Sequence, residues 1–296
     1  MKTIVGFAPA KVNLSLDIVG VRENGYHEMD MVMQAVSLGD TITIETTDTP
    51  GEIRFVCDAP NIPCDETNLA VKAARLFLNE MEIQTGLCIS LVKRIPSGAG
   101  MAGGSADAAC VLFLLNRLFA CGYSLSQLCE LGVRLGADVP FCLCGGTARV
   151  QGIGERISPL APLTSGWIAG VKPPLSISTK EAFAQFDRGE ITKRPDTAAM
   201  VKAVKVHDLA AIGVHMENVF EQTCELPVLH EVKAQLLKSG ACGAVLTGSG
   251  SVIYGLFSDE DAAHRAQTEI ASYGESFVCR PIDEGPTVIK EAESFE

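Results

Sequence analysis

The chain has 296 residues, 47% of them hydrophobic and 20% charged, a globular balance that excludes disorder and fibrous structure at about twice the length of one ordinary domain. With 24 Lys and Arg against 36 Asp and Glu, the net charge is -12, so the basic footprint of a nucleic-acid binder is missing and an anionic ligand needs a locally positive site. Apolar stretches such as 111–115 fall far short of the roughly 18 residues of a membrane span, and the start, MKTIVGFAPAKVN, lacks a signal peptide's apolar region and cleavage site, so a cytoplasmic protein with neither membrane nor nucleic-acid partner is expected.

From Ala8 to Ile18 the even positions are apolar, while the odd ones include Lys11, Asn13, Ser15 and Asp17. That alternation predicts a strand with one buried and one polar face, and it puts Lys11 and Asn13 on the same side. Strands are also expected at 31–36, 40–47, 52–57 and 86–93, with turn chemistry at Leu38-Gly39-Asp40 and Thr49-Pro50-Gly51. Helical spacing marks Leu69 to Phe77, then Ala106 to Leu114 in a helix of about 105–119, then Leu125 to Leu135. The third helix opens on Ser124 and Gln127 at capping-box spacing and runs to Gly136, a position suited to a left-handed residue. Ala137-Asp138-Val139-Pro140 therefore falls in the turn that follows it.

Further strands are expected at 139–144 and 146–151, joined by a hairpin at Gly145-Gly146. A shift to Pro and Ser at 158–165 marks a domain boundary that separates residues 1–160 from 161–296. The second half predicts a strand at 166–172, helices near 179–187, 197–212, 216–224 and 228–239, strands at 242–247 and 252–257, a helix at 259–272 and a strand at 276–281. Strands and helices mix without strict βα alternation, which makes the fold class α+β. The eleven cysteines are an odd number, set mostly inside apolar patterns, as reduced thiols acting as small hydrophobes would be. Cys142 and Cys144 form a CxC in a strand-like run, and with no second pair or nearby histidine they do not spell a zinc site.

Residues 96–107, Pro-Ser-Gly-Ala-Gly-Met-Ala-Gly-Gly-Ser-Ala-Asp, lie between an expected strand and an expected helix. Glycines let backbone approach a ligand, and the free amides of a following helix favour phosphate. Lys93 and Arg94 add local positive charge. A flexible connector is the plain alternative, though it has no need of four glycines within seven residues. GxxxxGK[ST] is absent, which excludes a Walker-type loop. Gly98, Gly100 and Gly103 match GxGxxG, but residues 117–124 supply no acidic partner for a dinucleotide fold. A second cluster, Thr247-Gly248-Ser249-Gly250-Ser251, lies between two apolar strands and on its own is a hairpin turn.

Taken together, the segment opening on Pro96, the early Ala8-Pro9-Ala10-Lys11-Val12-Asn13 and the late Gly248-Ser249-Gly250 resemble the galactokinase/homoserine kinase/mevalonate kinase/phosphomevalonate kinase superfamily. Gly25-Tyr26-His27 and Gly136-Ala137-Asp138-Val139-Pro140-Phe141 resemble, within it, the 4-diphosphocytidyl-2-C-methyl-D-erythritol kinases. The resemblance runs from about residue 6 to about residue 257 and is thinner from 190 to 240. It implies a ribosomal protein S5-like N-terminal domain, a ferredoxin-like C-terminal sandwich, and ATP- and Mg²⁺-dependent phosphorylation of an alcohol that carries a cytidine diphosphate moiety.

By the same resemblance, Asp138 is the catalytic base and Lys11 the catalytic cation. Pro96, Ser97, Gly98, Ala99, Gly100, Met101, Ala102, Gly103, Gly104, Ser105 and Ala106 would cradle ATP. Asn13, Tyr26, His27, Thr179 and Phe183 would bind the substrate, with Tyr26, His27 and Phe183 around the cytosine. An ordinary turn aspartate, a solvated lysine and a core phenylalanine are the plain alternatives for Asp138, Lys11 and Phe183. Ala102 stands where the superfamily commonly has glycine, which a negative φ would permit, and Asp107 brings a negative charge near the phosphates, either to cap amides or to face the metal. Superfamily relatives hold Mg²⁺ with a glutamate for which this chain offers no clear counterpart. A kinase acting on another alcohol, or a noncatalytic nucleotide- or RNA-binding module, are the rival readings.

Overall fold

The computed structural model describes residues 1–293. Two long strands, β1 (Lys2–Val21) and β2 (His27–Thr47), pair antiparallel as the spine of an eight-stranded sheet. β3 (Ile53–Cys57), α1 (Leu69–Glu80) and β4 (Gly86–Val92) follow, β4 lying antiparallel to β2 and parallel to β3. Next come α2 (Gly103–Leu118), α3 (Leu125–Val133) and α4 (Val139–Cys144), with α2 packed on β1, β2, α1 and α4. β5 (Thr147–Gly152) pairs with β2, and β6 (Arg156–Pro159) with β5.

The chain then enters a second, four-stranded antiparallel sheet through β7 (Trp167–Lys172). α5 (Thr179–Arg188), α6 (Thr197–Lys205) and α7 (Leu209–His215) lead to the two-residue β8 (Glu217–Asn218), which pairs parallel with β1, and to a 3₁₀ turn at Val219–Gln222. α8 (Leu229–Lys238), β9 (Gly243–Leu246), β10 (Ile253–Phe257), α9 (Glu260–Ile270) and β11 (Glu275–Cys279) complete the sheet in the order β11-β7-β10-β9. Finally β12 (Thr287–Glu293), a strand not among those expected above, returns to pair with β1 in the first sheet. The mixed α+β class holds.

Several local expectations are corrected. Residues 139–144 are a helix, not a strand, because a continuous apolar run carries no period and Pro140 in the first turn suits a helix start. Gly145-Gly146 is accordingly a helix-to-strand turn, both residues at φ +66°. Leu38-Gly39-Asp40 lies inside β2, where the register shifts opposite Pro9 to Lys11, so turn-forming residues serve a bulge. The Ser124–Gln127 capping box forms as expected, whereas Gly136 is not among the left-handed glycines and α3 closes at Arg134 with αR geometry. The helix expected at 197–212 breaks into α6 and α7 at His207, and that near 216–224 shrinks to β8 and the 3₁₀ turn.

The polar face of β1 is not solvated: Lys11, Asn13, Ser15 and Asp17 are all buried, because both faces of the strand are covered. Apolar packing also crosses the halves of the sequence, with Ile4 and Leu114 in one core with Met200 and Tyr254, and Leu16 and Met31 in another with Phe220 and Ala169. One direct tie is the fully buried Tyr254, whose hydroxyl on β10 donates to the Asn13 carbonyl on β1 at 2.9 Å. Tyr254→Phe strands that carbonyl without its donor, and we expect a loss of about 1–3 kcal/mol in urea or thermal unfolding. An unchanged midpoint would show that the tie is dispensable.

Candidate active site

Two glycine loops from distant parts of the chain meet on β1. The first, residues 96–104, joins β4 to α2, and the second, residues 247–251, joins β9 to β10. Asn13 holds both. Its Oδ1 accepts from Lys11 Nζ at 2.7 Å and from the Gly248 amide at 3.0 Å, and its own amide N–H donates to Thr247 Oγ1 at 3.0 Å. Lys11 Nζ donates a second bond, 2.9 Å, to the Gly100 carbonyl, and the Val252 amide donates to the Ala99 carbonyl at 3.3 Å. Contact between the loops is so close that a Cβ on Gly100 would stand 2.0 Å from the Thr247 carbonyl oxygen, and Gly100 has φ +73°. Only glycine fits there. Asn218 backs the second loop from β8, donating Nδ2 to the carbonyls of Leu246 and Gly248 at 2.8 Å each.

The loops form one wall of a cleft of about 550 Å³. Of the residues singled out from the sequence, Lys11, Asn13, Asp138, Thr179, Phe183 and the whole of 96–105 apart from Met101 line it. Met101 and Ala106 do not: both are buried in the core beneath the loop, and Met101 contributes its carbonyl to the Lys11 amide. Asp138 caps the start of α4 without bonding to it, so its carboxylate is not consumed by the helix it begins. Lys11 and Asp138 also bracket the buried Cys142, whose thiol burial pushes well up, with Asp138 adding to the effect and Lys11 opposing it.

α2 begins at the cleft without a side-chain cap, so its first-turn amides at Gly103, Gly104 and Ser105 present the positive end of the helix to it. The residue before them, Ala102, has φ +59°, not the negative φ that an alanine favours. The left-handed turn that aims these amides thus carries a strain of about 1 kcal/mol.

Behind the loop lies an ion cluster whose members are far apart in sequence. Lys93 Nζ bonds Asp40 and, at 2.9 Å, Asp107, with all three side chains buried. Asp40 Oδ1 also accepts the amides of Arg94 and Ile95 at 2.6 and 2.8 Å. Asp107 therefore neither caps its helix nor lies free. Burial opposes the Lys93 charge, but the two carboxylates outweigh it and hold the ammonium above its ordinary value. Burial likewise pushes the Asp107 carboxyl up to about 8, against the pull of Lys93 and with Asp40 adding to the rise. Its Oδ1 is buried without a partner, a state that suits a protonated carboxyl.

At the far end of the cleft, His27 stacks on Phe183 with ring centroids 4.4 Å apart and planes 25° apart, and its Nε2 meets Asp187 Oδ1 at 2.7 Å. Tyr26 sits apart at the tip of the β1–β2 hairpin, 59% exposed, and neither Tyr26 nor His27 lines the cleft in this state. Sequence reasoning missed Asp187 and Phe186, which complete the surroundings of His27, and also Asp40 and Thr247, which position the loops. Asp40 and Thr247 stand in segments that locally spell only turns, and Asp187 and Phe186 have no local signal, since each acts through a partner distant in the chain.

Among the described residues no cluster of three carboxylate, imidazole or thiol groups is placed to hold a metal unaided. Ser105 and Asp107 both line the cleft beside the loop amides, but Asp107 is taken up by Lys93 and suits a protonated carboxyl, so the Ser105 hydroxyl is the one of the two left to meet a Mg²⁺ that takes most of its oxygens from phosphate and water.

Comparison with known proteins shows the family of the chain. The description of GHMP kinases N terminal domain matches residues 68–146, and that of GHMP kinases C terminal matches residues 200–276. A 4-diphosphocytidyl-2-C-methyl-D-erythritol kinase of Clostridium tetani is 43% identical over 93% of this chain and 99% of its own. A crystal structure of 4-(cytidine 5'-diphospho)-2C-methyl-D-erythritol kinase superposes with a TM-score of 0.80 at 32% identity, covering 94% of this chain and 99% of the other. A homoserine kinase structure from Cytophaga hutchinsonii shares the fold, with a TM-score of 0.79 at 22% identity, over 97% of each chain.

The buried carboxyl makes a stability prediction. Between about pH 4, where an unfolded aspartate titrates, and about pH 8, where Asp107 titrates, the native chain holds one proton more than the unfolded chain. Stability therefore falls as pH rises through that window. Asp107→Asn removes this term, so its unfolding midpoint gains on the parent between about pH 4 and about pH 8. A difference that stays constant with pH would contradict the assignment.

Proposed function

The chain belongs to the 4-diphosphocytidyl-2-C-methyl-D-erythritol kinases of the GHMP kinase superfamily, and from that premise we propose how its own residues carry the reaction. The enzyme is an ATP-dependent small-molecule kinase that phosphorylates the 2-hydroxyl of 4-diphosphocytidyl-2-C-methyl-D-erythritol, giving the 2-phosphate and ADP for isoprenoid precursor synthesis. The observation that carries the residue assignment is the convergence of Lys11, Asp138, the first-turn amides of α2 and Phe183 on one cleft.

Phosphoryl transfer asks the protein for positioning and electrostatic stabilisation more than for covalent chemistry. ATP phosphates lie against the amides of the 96–105 loop and the start of α2, which supply fixed positive dipoles in an acidic chain. Lys11, pinned by Asn13 and the Gly100 carbonyl, holds a cation beside the acceptor hydroxyl without free rotation. Asp138 takes the hydroxyl proton as the oxygen attacks. The Ser105 hydroxyl would meet Mg²⁺, which when bound would neutralise charge on the phosphate oxygens. The cytosine is held by Phe183, Tyr26 and His27, with Asn13 and Thr179 contacting the remainder of the substrate. Residues 1–160, joined by the returning β12, correspond in this reading to an S5-like domain and the second sheet with its helices, which follows residue 160, to a ferredoxin-like one, and the enzyme works in the cytoplasm.

Asp138→Asn should keep equilibrium binding of ATP and of the cytidylyl substrate while turnover drops by about 10²–10⁴-fold, the usual worth of a positioned base. Turnover near that of the parent would remove Asp138 from the mechanism. Phe183→Ala, Tyr26→Ala and His27→Ala each remove part of a base site in which an aromatic contact is worth about 1 kcal/mol, so KM for the cytidylyl substrate should rise several-fold with KM for ATP little changed. Equal effects on both would locate the base elsewhere.

A further inference from the structure

Two thiols that the mechanism leaves unused lie on the helix pair that carries Asp138. Cys129 on α3 and Cys144, the last residue of α4, place their Sγ atoms 3.8 Å apart, about van der Waals contact. Both are free and half-buried, so they are neither sealed in the core, as Cys110, Cys142 and Cys279 are, nor fully open to solvent, as Cys64 is. A disulfide requires the sulfurs to close to about 2.05 Å, which side-chain rotation with a small shift of the short α4 can supply. We propose that Cys129 and Cys144 form a reversible disulfide under peroxide, clamping α3 to α4 across the turn that presents Asp138 and lowering turnover.

The pair is also chemically differentiated. The contact between the two sulfurs holds the Cys144 thiol below its ordinary pKa, against burial, and together with burial raises that of Cys129. Cys144 is thus the nucleophile. Its thiolate attacks one oxygen of hydrogen peroxide, the O–O bond breaks, and the departing hydroxide takes a proton to leave as water, giving a sulfenic acid. Cys129 sulfur then attacks Cys144 sulfur, the S–O bond breaks, and its hydroxyl leaves as a second water with the Cys129 proton. Two thiols are oxidised by two electrons and one peroxide is reduced to two waters.

The effect on catalysis rests on the reading of Asp138 as the base. α4 has Asp138 at its N-terminal end and Cys144 at its C-terminal end, so drawing Cys144 towards α3 displaces the carboxylate. The glycine loop lies on other elements. A misplacement of about 1 Å can cost on the order of 10²-fold in rate, so kcat should fall about tenfold or more, with KM for ATP nearly unchanged.

The experiment treats the full-length protein, in a Cys64→Ser background that suppresses links between molecules, with hydrogen peroxide and then with dithiothreitol. Digestion without reductant should yield a peptide pair joined through Cys129 and Cys144, lighter by two hydrogens. The drop in kcat should appear with it, reverse with dithiothreitol, and be absent from Cys129→Ser and Cys144→Ser. Absence of the joined peptide overturns the disulfide. A joined peptide without loss of turnover overturns the regulatory role, as does equal inactivation of the two serine variants, which would point to another thiol. Because the peptide is read by mass, failure here is distinct from failure of the kinase reading, which the reduced enzyme tests.

Discussion

The cleft depends on one amide. Asn13 Oδ1 receives Lys11 Nζ and the Gly248 amide, while the Asn13 backbone binds Thr247 Oγ1 on one side and the Tyr254 hydroxyl on the other. A single residue of β1 thereby fixes the cation, the second glycine loop and the second sheet. The first loop is fixed in turn, because Lys11 reaches on to the Gly100 carbonyl and Gly100 is pressed against Thr247 with no room for a side chain. Apart from the half-buried Gly100 these groups are buried, and all are paired, so they specify one arrangement, whereas a partly satisfied buried network would cost stability without doing so.

Placing a polyanion on a chain of net charge -12 needs local electrostatics that outweigh the global field. In the proposed mechanism the uncapped start of α2 and Lys11 supply them. Lys93 is kept charged in the interior by Asp40 and Asp107, and with the Asp107 carboxyl shifted up towards its protonated form the cluster carries one positive and one negative charge that cancel. The strain of Ala102 fits the same picture. Its left-handed backbone turns the chain so that the helix amides face the cleft, a conformation the neighbouring packing sustains.

Much of this was legible in the sequence, and what was not shares a cause. The alternation around Lys11 and Asn13, the glycine run between strand and helix, and the Ser124–Gln127 capping box are local patterns with local physics, and they appear where expected. Residues 139–144 failed because an unbroken apolar run suits a buried helix and a buried strand equally. Leu38-Gly39-Asp40 failed because a bulge and a turn draw on the same residues. Gly136 lacks the left-handed φ and Ala102 the negative φ that their residue types led one to expect. The Lys93–Asp40–Asp107 cluster, Asp187 on His27 and the return of β12 to β1 left no pattern, since each exists only once distant segments meet.

The central claim is that this cleft transfers phosphate from ATP to an alcohol selected by its cytosine. It is tested most directly by Mg²⁺-dependent ADP release from the purified protein, offered 4-diphosphocytidyl-2-C-methyl-D-erythritol beside mevalonate, homoserine and galactose. Turnover with the cytidylyl compound alone is the predicted result. Turnover with one of the other alcohols, or with none, would contradict it.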